Sequence, residues 1–152
     1  MPGQPQIPGW LVFDVTEIQA AEPGLAPVNI VRRDTDFNLT ATFTGTGALW
    51  DFLEALSDLP VVQVVGMVTF SVEGIGSNAI ELDFGPALAV LTVGGTYNVT
   101  TTITANSLSV GVYTVACYVS FEVRVGGSIV PIPALTGYMT GIGVNEDDLS
   151  VY

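Results

Sequence analysis

TYNVTTTITANSLSVGVYTVACYVSFEVRV, residues Thr96 to Val125, decides the fold. In its first half Tyr97, Val99, Thr101, Ile103 and Ala105 share one face, and Thr96, Asn98, Thr100, Thr102 and Thr104 the other. In its second half Tyr113, Val115, Cys117, Val119, Phe121, Val123 and Val125 alternate with Thr114, Ala116, Tyr118, Ser120, Glu122 and Arg124. Period-two alternation over such lengths marks half-buried antiparallel strands. The short turn between the runs predicts that they pair as a hairpin.

Outward from this stretch the same pattern recurs. Trp10 to Ile18 reads as a first strand, Ala20 to Pro27 as a loop rich in breakers, and Val28 to Arg33 as a short edge strand. Asp36 to Thr44 alternates, with Phe37, Leu39, Ala41 and Phe43 inward. Over Ala48 to Leu59 the period changes. Leu49, Phe52, Leu53 and Leu56 fall at i, i+3, i+4 and i+7, one face of a helix that Pro60 ends, and the acids Asp51, Glu54 and Asp58 lie off it. Val61 to Glu73 is a long strand, with Val62, Val64, Val68, Phe70 and Val72 inward and Val61, Val65 and Met67 on the opposite side. Gly66 within it predicts a bulge or a close backbone approach. Ala79 to Phe84 is a strand broken by Gly85-Pro86, and Ala87 to Val93 is apolar throughout, a strand buried on both faces. Ile129 to Pro133 is confined to an edge by its prolines, Leu135 to Val144 is a glycine-interrupted strand, and Leu149 to Tyr152 ends the chain with apolar residues. The expectation is an all-β fold, a two-sheet antiparallel β-sandwich of immunoglobulin-like or jelly-roll-like kind, with one short helix near 48–59. One domain over 10–152 follows an extended Pro/Gly arm over 1–9 carrying Pro2, Pro5 and Pro8.

The segment Leu108-Ser-Val-Gly111-Val-Tyr113-Thr-Val resembles the turn and strand that carry the tyrosine corner of immunoglobulin-like and fibronectin type III-like domains. The resemblance implies that the Tyr113 hydroxyl returns to backbone and holds the turn around Leu108. It extends to architecture alone. The inter-sheet cysteine pair of antibody domains is absent, since Cys117 is the single cysteine, and neither Trp10 nor Trp50 sits on the strand that would follow the family pattern.

The chain has 152 residues and a net charge of −12, and the anomaly lies in its cations: no lysine, no histidine, and only Arg32, Arg33 and Arg124. Binding to nucleic acid needs cations to neutralise phosphates, so that class is excluded as an expectation, and attraction to an anionic membrane fails for the same reason. Charged residues make up 12% of the chain, against about 25% in typical soluble domains. Mean hydropathy is +0.55. No apolar run approaches ~18 residues, so no transmembrane segment is expected. The N-terminal MPGQPQIPGW has neither the basic n-region nor the apolar h-region of a secretory signal.

Candidate chemistry is sparse. Without histidine there is no Ser-His or Cys-His nucleophile system. Glu81 and Asp83 share one strand face, whereas a glycosidase needs carboxyls set across a cleft. Cys117 reads as a small buried hydrophobe. Asp34 and Asp36, or Asp147 and Asp148 in the acidic turn, are the weak candidates for a structural calcium ion, and no other cofactor is expected. Asn38-Leu-Thr40 and Asn98-Val-Thr100 fit the glycosylation sequon, a match that a threonine-rich chain produces by chance.

A chain so poor in charge is not expected to wet its whole exterior. The reading is therefore a non-enzymatic structural subunit that assembles with copies of itself into a filament, sheath or shell, a role suited to an extracellular or surface setting. Its contacts are expected from the arm (Pro2, Pro5, Pro8 and Trp10), from Arg32 and Arg33 against acids of a neighbour, and from the outward residues Val61, Val65, Met67, Val112 and Tyr118. An arm held by a neighbour would add a strand to it. The alternative is a monomeric immunoglobulin-like binding or accessory module for carbohydrate or protein.

Overall fold

A computed structural model of the chain describes residues 6–7, 10–76, 80–132, 141–144 and 148–152. In chain order its elements are β1 (Gln6–Ile7), β2 (Leu11–Ala21), β3 (Ile30–Val31), β4 (Phe37–Thr46), α1 (Ala48–Ser57), β5 (Val62–Gly74), β6 (Glu81–Val90), β7 (Tyr97–Ile103), β8 (Gly111–Val125), β9 (Ser128–Val130), β10 (Gly141–Val144) and β11 (Leu149–Val151). They form two sheets and one short helix, an all-β sandwich. The smaller sheet has the order β1-β2-β4-β7, and the larger runs β3-β11-β8-β5-β6 with β9 and β10 also on β8. Among the described residues every pairing is antiparallel except that of β3 with β11.

The spine of the larger sheet is β8. Its alternation is strict, with Tyr113, Val115, Cys117, Val119, Phe121 and Val123 buried. One edge pairs with β5 from Val62↔Val125 to Gly74↔Tyr113. The other is taken in turn by β9, β10 and β11.

The predicted hairpin of 96–125 is not formed. Strand β7 pairs with β4 in the smaller sheet and β8 with β5 in the larger one. Alternation fixes which face is buried and leaves the partner open. The link between the strands crosses from one sheet to the other, with Leu108 buried under it. The Tyr113 hydroxyl donates to the Ser109 carbonyl at 2.8 Å, the corner that the resemblance implied.

Two further expectations are corrected, and at Gly66 one of two alternatives holds. The strands placed at 79–84 and 87–93 are one edge strand, β6, which runs through a cis Gly85-Pro86 bond. Its register against β5 shifts between Val68 and Phe70, and this absorbs the interruption. Leu88 and Val90 are then exposed rather than buried on both sides. Gly66 itself carries no bulge. A Cβ there would meet Phe43 at 3.0 Å and Phe121 at 3.2 Å, so it is a close approach to aromatic rings.

The second correction concerns α1. It buries Trp50, Leu53, Glu54 and Ser57, and Phe52 is exposed. The i, i+3, i+4, i+7 spacing holds, but the face is displaced by one residue, about 100° of rotation. Trp50 enters an aromatic cluster with Phe13, Phe43, Tyr97 and Phe121, ring centroids 5.0–6.1 Å apart. Gly45 gives the indole its room, because a Cβ there would collide with the Trp50 ring. Gly47, with φ 106°, starts the helix and lies so close to the Trp10 carbonyl that only glycine fits.

Tyr113→Phe removes one half-buried hydrogen bond without changing shape. It should lower stability by about 0.5–1.5 kcal/mol in urea unfolding, with the unfolding slope unchanged. Wild-type stability in that variant would mean that the hydroxyl does not hold the crossover.

Candidate interaction surfaces

On the outer face of the smaller sheet, β4 and β7 carry the same polar triplet: Asn38, Thr40 and Thr42 on one, Asn98, Thr100 and Thr102 on the other. The antiparallel register sets Asn38 opposite Thr102, Thr40 opposite Thr100 and Thr42 opposite Asn98. Each pair is hydrogen-bonded: Thr102 donates to Asn38 Oδ1 at 2.9 Å, Thr42 donates to Asn98 Oδ1 at 2.7 Å, and the Thr40 and Thr100 hydroxyls lie 2.8 Å apart. The Asn-x-Thr spacing thus serves a cross-strand ladder in which each amide oxygen accepts a hydroxyl.

The outer face of the larger sheet is apolar at its β6 side. Val90, Val65 and Glu122 form one row across it, and Leu88, Met67 and Ser120 the next. Leu88 is 50% exposed and Tyr118 46%. Met67, Tyr118, Ser120, Ile129, Val130 and Ile132 line a shallow groove of about 390 Å³ on this face. Arg124 pairs with Glu122 beside it.

Among the described residues β6 and β7 are the unpaired edges of the two sheets, and they lie against each other on one flank, where the chain passes from the larger sheet to the smaller. No Asp, Glu, Lys or Arg occurs between Asp83 and Glu122, so most of this flank is without ionic side chains. The two edges differ in protection. β6 carries Glu81, Asp83, Pro86 and a register shift, all features that discourage further pairing. β7 is regular over Tyr97–Ile103 and has none of them. Behind these edges Leu82, Phe84, Ala87 and Ala89 are only partly buried, and the Thr101 hydroxyl is buried with no partner among the described residues.

The turn linking β6 to β7 is held by the helix. Glu54, 5% exposed, accepts the Trp50 indole N–H at 2.8 Å and the Tyr97 hydroxyl at 2.8 Å on Oε1, and the Gly94 N–H at 3.0 Å on Oε2. The Tyr97 oxygen also lies 2.8 Å from the Thr92 carbonyl and accepts the Thr92 N–H at 3.0 Å. Burial first, and then the Glu54 carboxylate, raise the Tyr97 phenol well above its ordinary pKa, against the pull of the Thr92 N–H, so it stays protonated. An open recess of about 450 Å³ beside this hub includes Asp51, Glu54, Gly94 and Gly95. Both Glu54 oxygens are engaged in structural bonds, and Asp51 is exposed. Alternation and helical periodicity did not reveal this hub. The available signal was the i, i+4 spacing of Trp50 and Glu54 on a helix that must cover an apolar end.

The predicted contact residues scatter. Met67 and Tyr118 meet at the groove, and Val112, 42% exposed, lies on the same face toward the start of β8. Val65 is 1% exposed and thus no surface residue. Val61 is exposed, in the turn before β5. Trp10 is 64% exposed beside the start of α1, where its carbonyl accepts the Leu49 N–H. Arg32 is engaged within the chain, its guanidinium 3.3 Å from Glu22, whereas Arg33 is exposed. Pro2, Pro5 and Pro8 lie outside the described residues, and Gln6 and Ile7 pair with Val12 and Leu11 of the same chain. Asp36 accepts the Ala105 N–H and Asp34 the Thr35 hydroxyl. Asp147 lies outside the described residues and Asp148 is exposed. Among the described residues no group of three or more acidic or cysteine side chains converges on a metal position, and no helix is long and apolar enough to cross a membrane.

No family model matches this sequence, and no curated protein matches it. Among solved structures, the alkylpurine DNA glycosylase AlkC of Pseudomonas fluorescens, bound to DNA containing an abasic site analogue, is similar with a TM-score of 0.43 and 13% identity. That match covers 91% of this chain and 30% of the glycosylase, so the chain spans less than a third of that protein's length. The CARDB domain of the PF1109 protein from Pyrococcus furiosus, in complex with di-metal ions, is similar with a TM-score of 0.40 and 10% identity, over 94% of this chain and 90% of that one. Neither likeness transfers a ligand or an activity.

Glu54→Gln replaces one acceptor oxygen with a donor that faces existing donors. It should cost about 1–3 kcal/mol in chemical unfolding, and unchanged stability would show that the hub does not hold the helix. Glu22 gives a pH prediction. The Arg32 backbone N–H, donating to it at 2.7 Å, and the Arg32 guanidinium hold its carboxyl below the ordinary value. A folded-state pKa below the unfolded one, about 4.3, stabilises the fold above that pH, and the contribution disappears as pH falls through the folded value. Wild type should therefore exceed Glu22→Gln in melting temperature at pH 6–7 and converge with it under stronger acid (roughly pH 2–3). A gap that stays constant across this range would contradict the assignment.

Proposed function

We propose that this chain is a non-enzymatic structural subunit, an immunoglobulin-like sandwich that associates with copies of itself. The observation that carries this reading is the flank of β6 and β7. There a molecule of net charge −12 has a run of sequence, residues 84–121, that contributes no ionic side chain to the surface. Copies of so acidic a protein repel one another, and contact costs least where neither brings charge. Leu88, Val90 and Val93, each more than 45% exposed, add apolar area beside this flank. The engaged oxygens of Glu54 support a role without proton-transfer chemistry, and no cofactor is required by the reading. Repeated side-to-side contact of this kind suits a filament, sheath or shell.

A second reading, a monomeric immunoglobulin-like module that binds carbohydrate or another protein, is favoured by the groove lined by Met67 and Tyr118. Sedimentation velocity over a hundredfold concentration range (roughly 1–100 μM, the span in which weak specific contacts saturate) separates the two. Self-association predicts a sedimentation coefficient that rises with concentration, with stronger association in salt as like-charge repulsion is screened. A strict monomer across the range contradicts it, and a monodisperse monomer retained on a glycan array would establish the second reading.

A further inference from the structure

We infer that two copies pair through β7, antiparallel and about a two-fold axis at Thr100, so that their smaller sheets become one continuous sheet. This rests on the self-association proposed above and names the surface and register. The occupant is a second copy because β7 is complementary to itself. An axis at Thr100 sets Thr100 opposite Thr100, Asn98 opposite Thr102, and Thr102 opposite Asn98. These are the Thr–Thr and Asn–Thr pairs that β7 already forms with β4, where Thr40 meets Thr100, Asn38 meets Thr102 and Thr42 meets Asn98. The partner's β7 would thus set on the open edge the same residue pairs that β4 provides on the closed one, with the Asn98 side-chain N–H donating to the Thr102 hydroxyl, whose single proton already goes to Asn38. On the inner side the same register sets Tyr97 opposite Ile103 and Val99 opposite Thr101, extending the buried row of β7.

Other edges and segments fit less well. The β6 edge is blunted by Glu81, Asp83 and Pro86. The β1 edge is two residues long. An N-terminal arm from a neighbour makes a poor strand, because Pro5 lies on one parity and Pro2 and Pro8 on the other, so either edge of an extended arm lacks a donor.

A charge-swap at the axis tests the register. Thr100→Lys and Thr100→Glu each set like charges directly opposite one another, on Cβ atoms about 4.5–5.5 Å apart, and a 1:1 mixture replaces them with an opposite pair. Each variant alone should associate roughly tenfold or more weakly than wild type in sedimentation velocity, and the mixture should recover most of the loss. Thr100→Lys lowers the net negative charge, so a general electrostatic effect would strengthen its association instead. Variants that assemble like wild type, or that remain dissociated when mixed, overturn the inference while wild-type association leaves the functional reading standing. A monomeric wild type overturns both. Circular dichroism checks that each variant folds. If either Thr100 variant does not, Asn98→Glu mixed with Thr102→Lys reads the same register: the mixture should associate more tightly than either alone, and equal association overturns the pairing.

Discussion

A carboxylate withdrawn from water must be given donors, and the way Glu54 obtains its three determines the end of the sandwich. One donor comes from its own helix, Trp50, one from the start of β7, Tyr97, and one from the turn before β7, Gly94. Losing any of them would leave a buried acceptor short of a partner. The helix therefore sits with Trp50 in the aromatic cluster and Phe52 in solvent. The same bonds fix where the chain passes between sheets, and so which strand is left as the open edge of the smaller one. Asp58 adds to this by accepting the Val93 N–H at 3.4 Å, a weaker bond to the same turn.

The strands were legible in the sequence because burial on one face writes a period of two into the residues. Phe37 to Phe43, Val64 to Val72 and Tyr113 to Val123 bury the sets that alternation predicts. The pairing was not legible, since the alternation of β7 suits a hairpin with β8 as well as a place beside β4. The corner from Ser109 to Tyr113 was legible only through the resemblance of its motif, since it acts through one hydroxyl and leaves no periodic trace. β6 misled for a different reason: Gly85-Pro86 reads as a break, but an edge strand tolerates a missing donor on its open side. The helix face misled because leucines were weighed and a Trp–Glu pair was not.

Of the predicted contact residues, Met67 and Tyr118 came together at one groove, whereas Val112 lies toward the other end of β8. The arginines did not, because Glu22 takes Arg32 within the chain. The more informative pattern was a negative one, the stretch from Asp83 to Glu122 with no ionic residue inside it. Its meaning emerges only once β6 and β7 are seen as adjacent free edges. The Asn-x-Thr matches likewise change meaning in the fold. They are two copies of one outward triplet, aligned across a ladder.

Backbone hydrogen exchange as a function of protein concentration tests the central claim most directly. If a copy covers the β7 edge, amides of Tyr97–Ile103 that face it should exchange about tenfold more slowly once nine-tenths of the chains are paired, and amides in the 22–36 region should not respond. Association accompanied by equal exchange in β7 at low and high concentration would contradict the account.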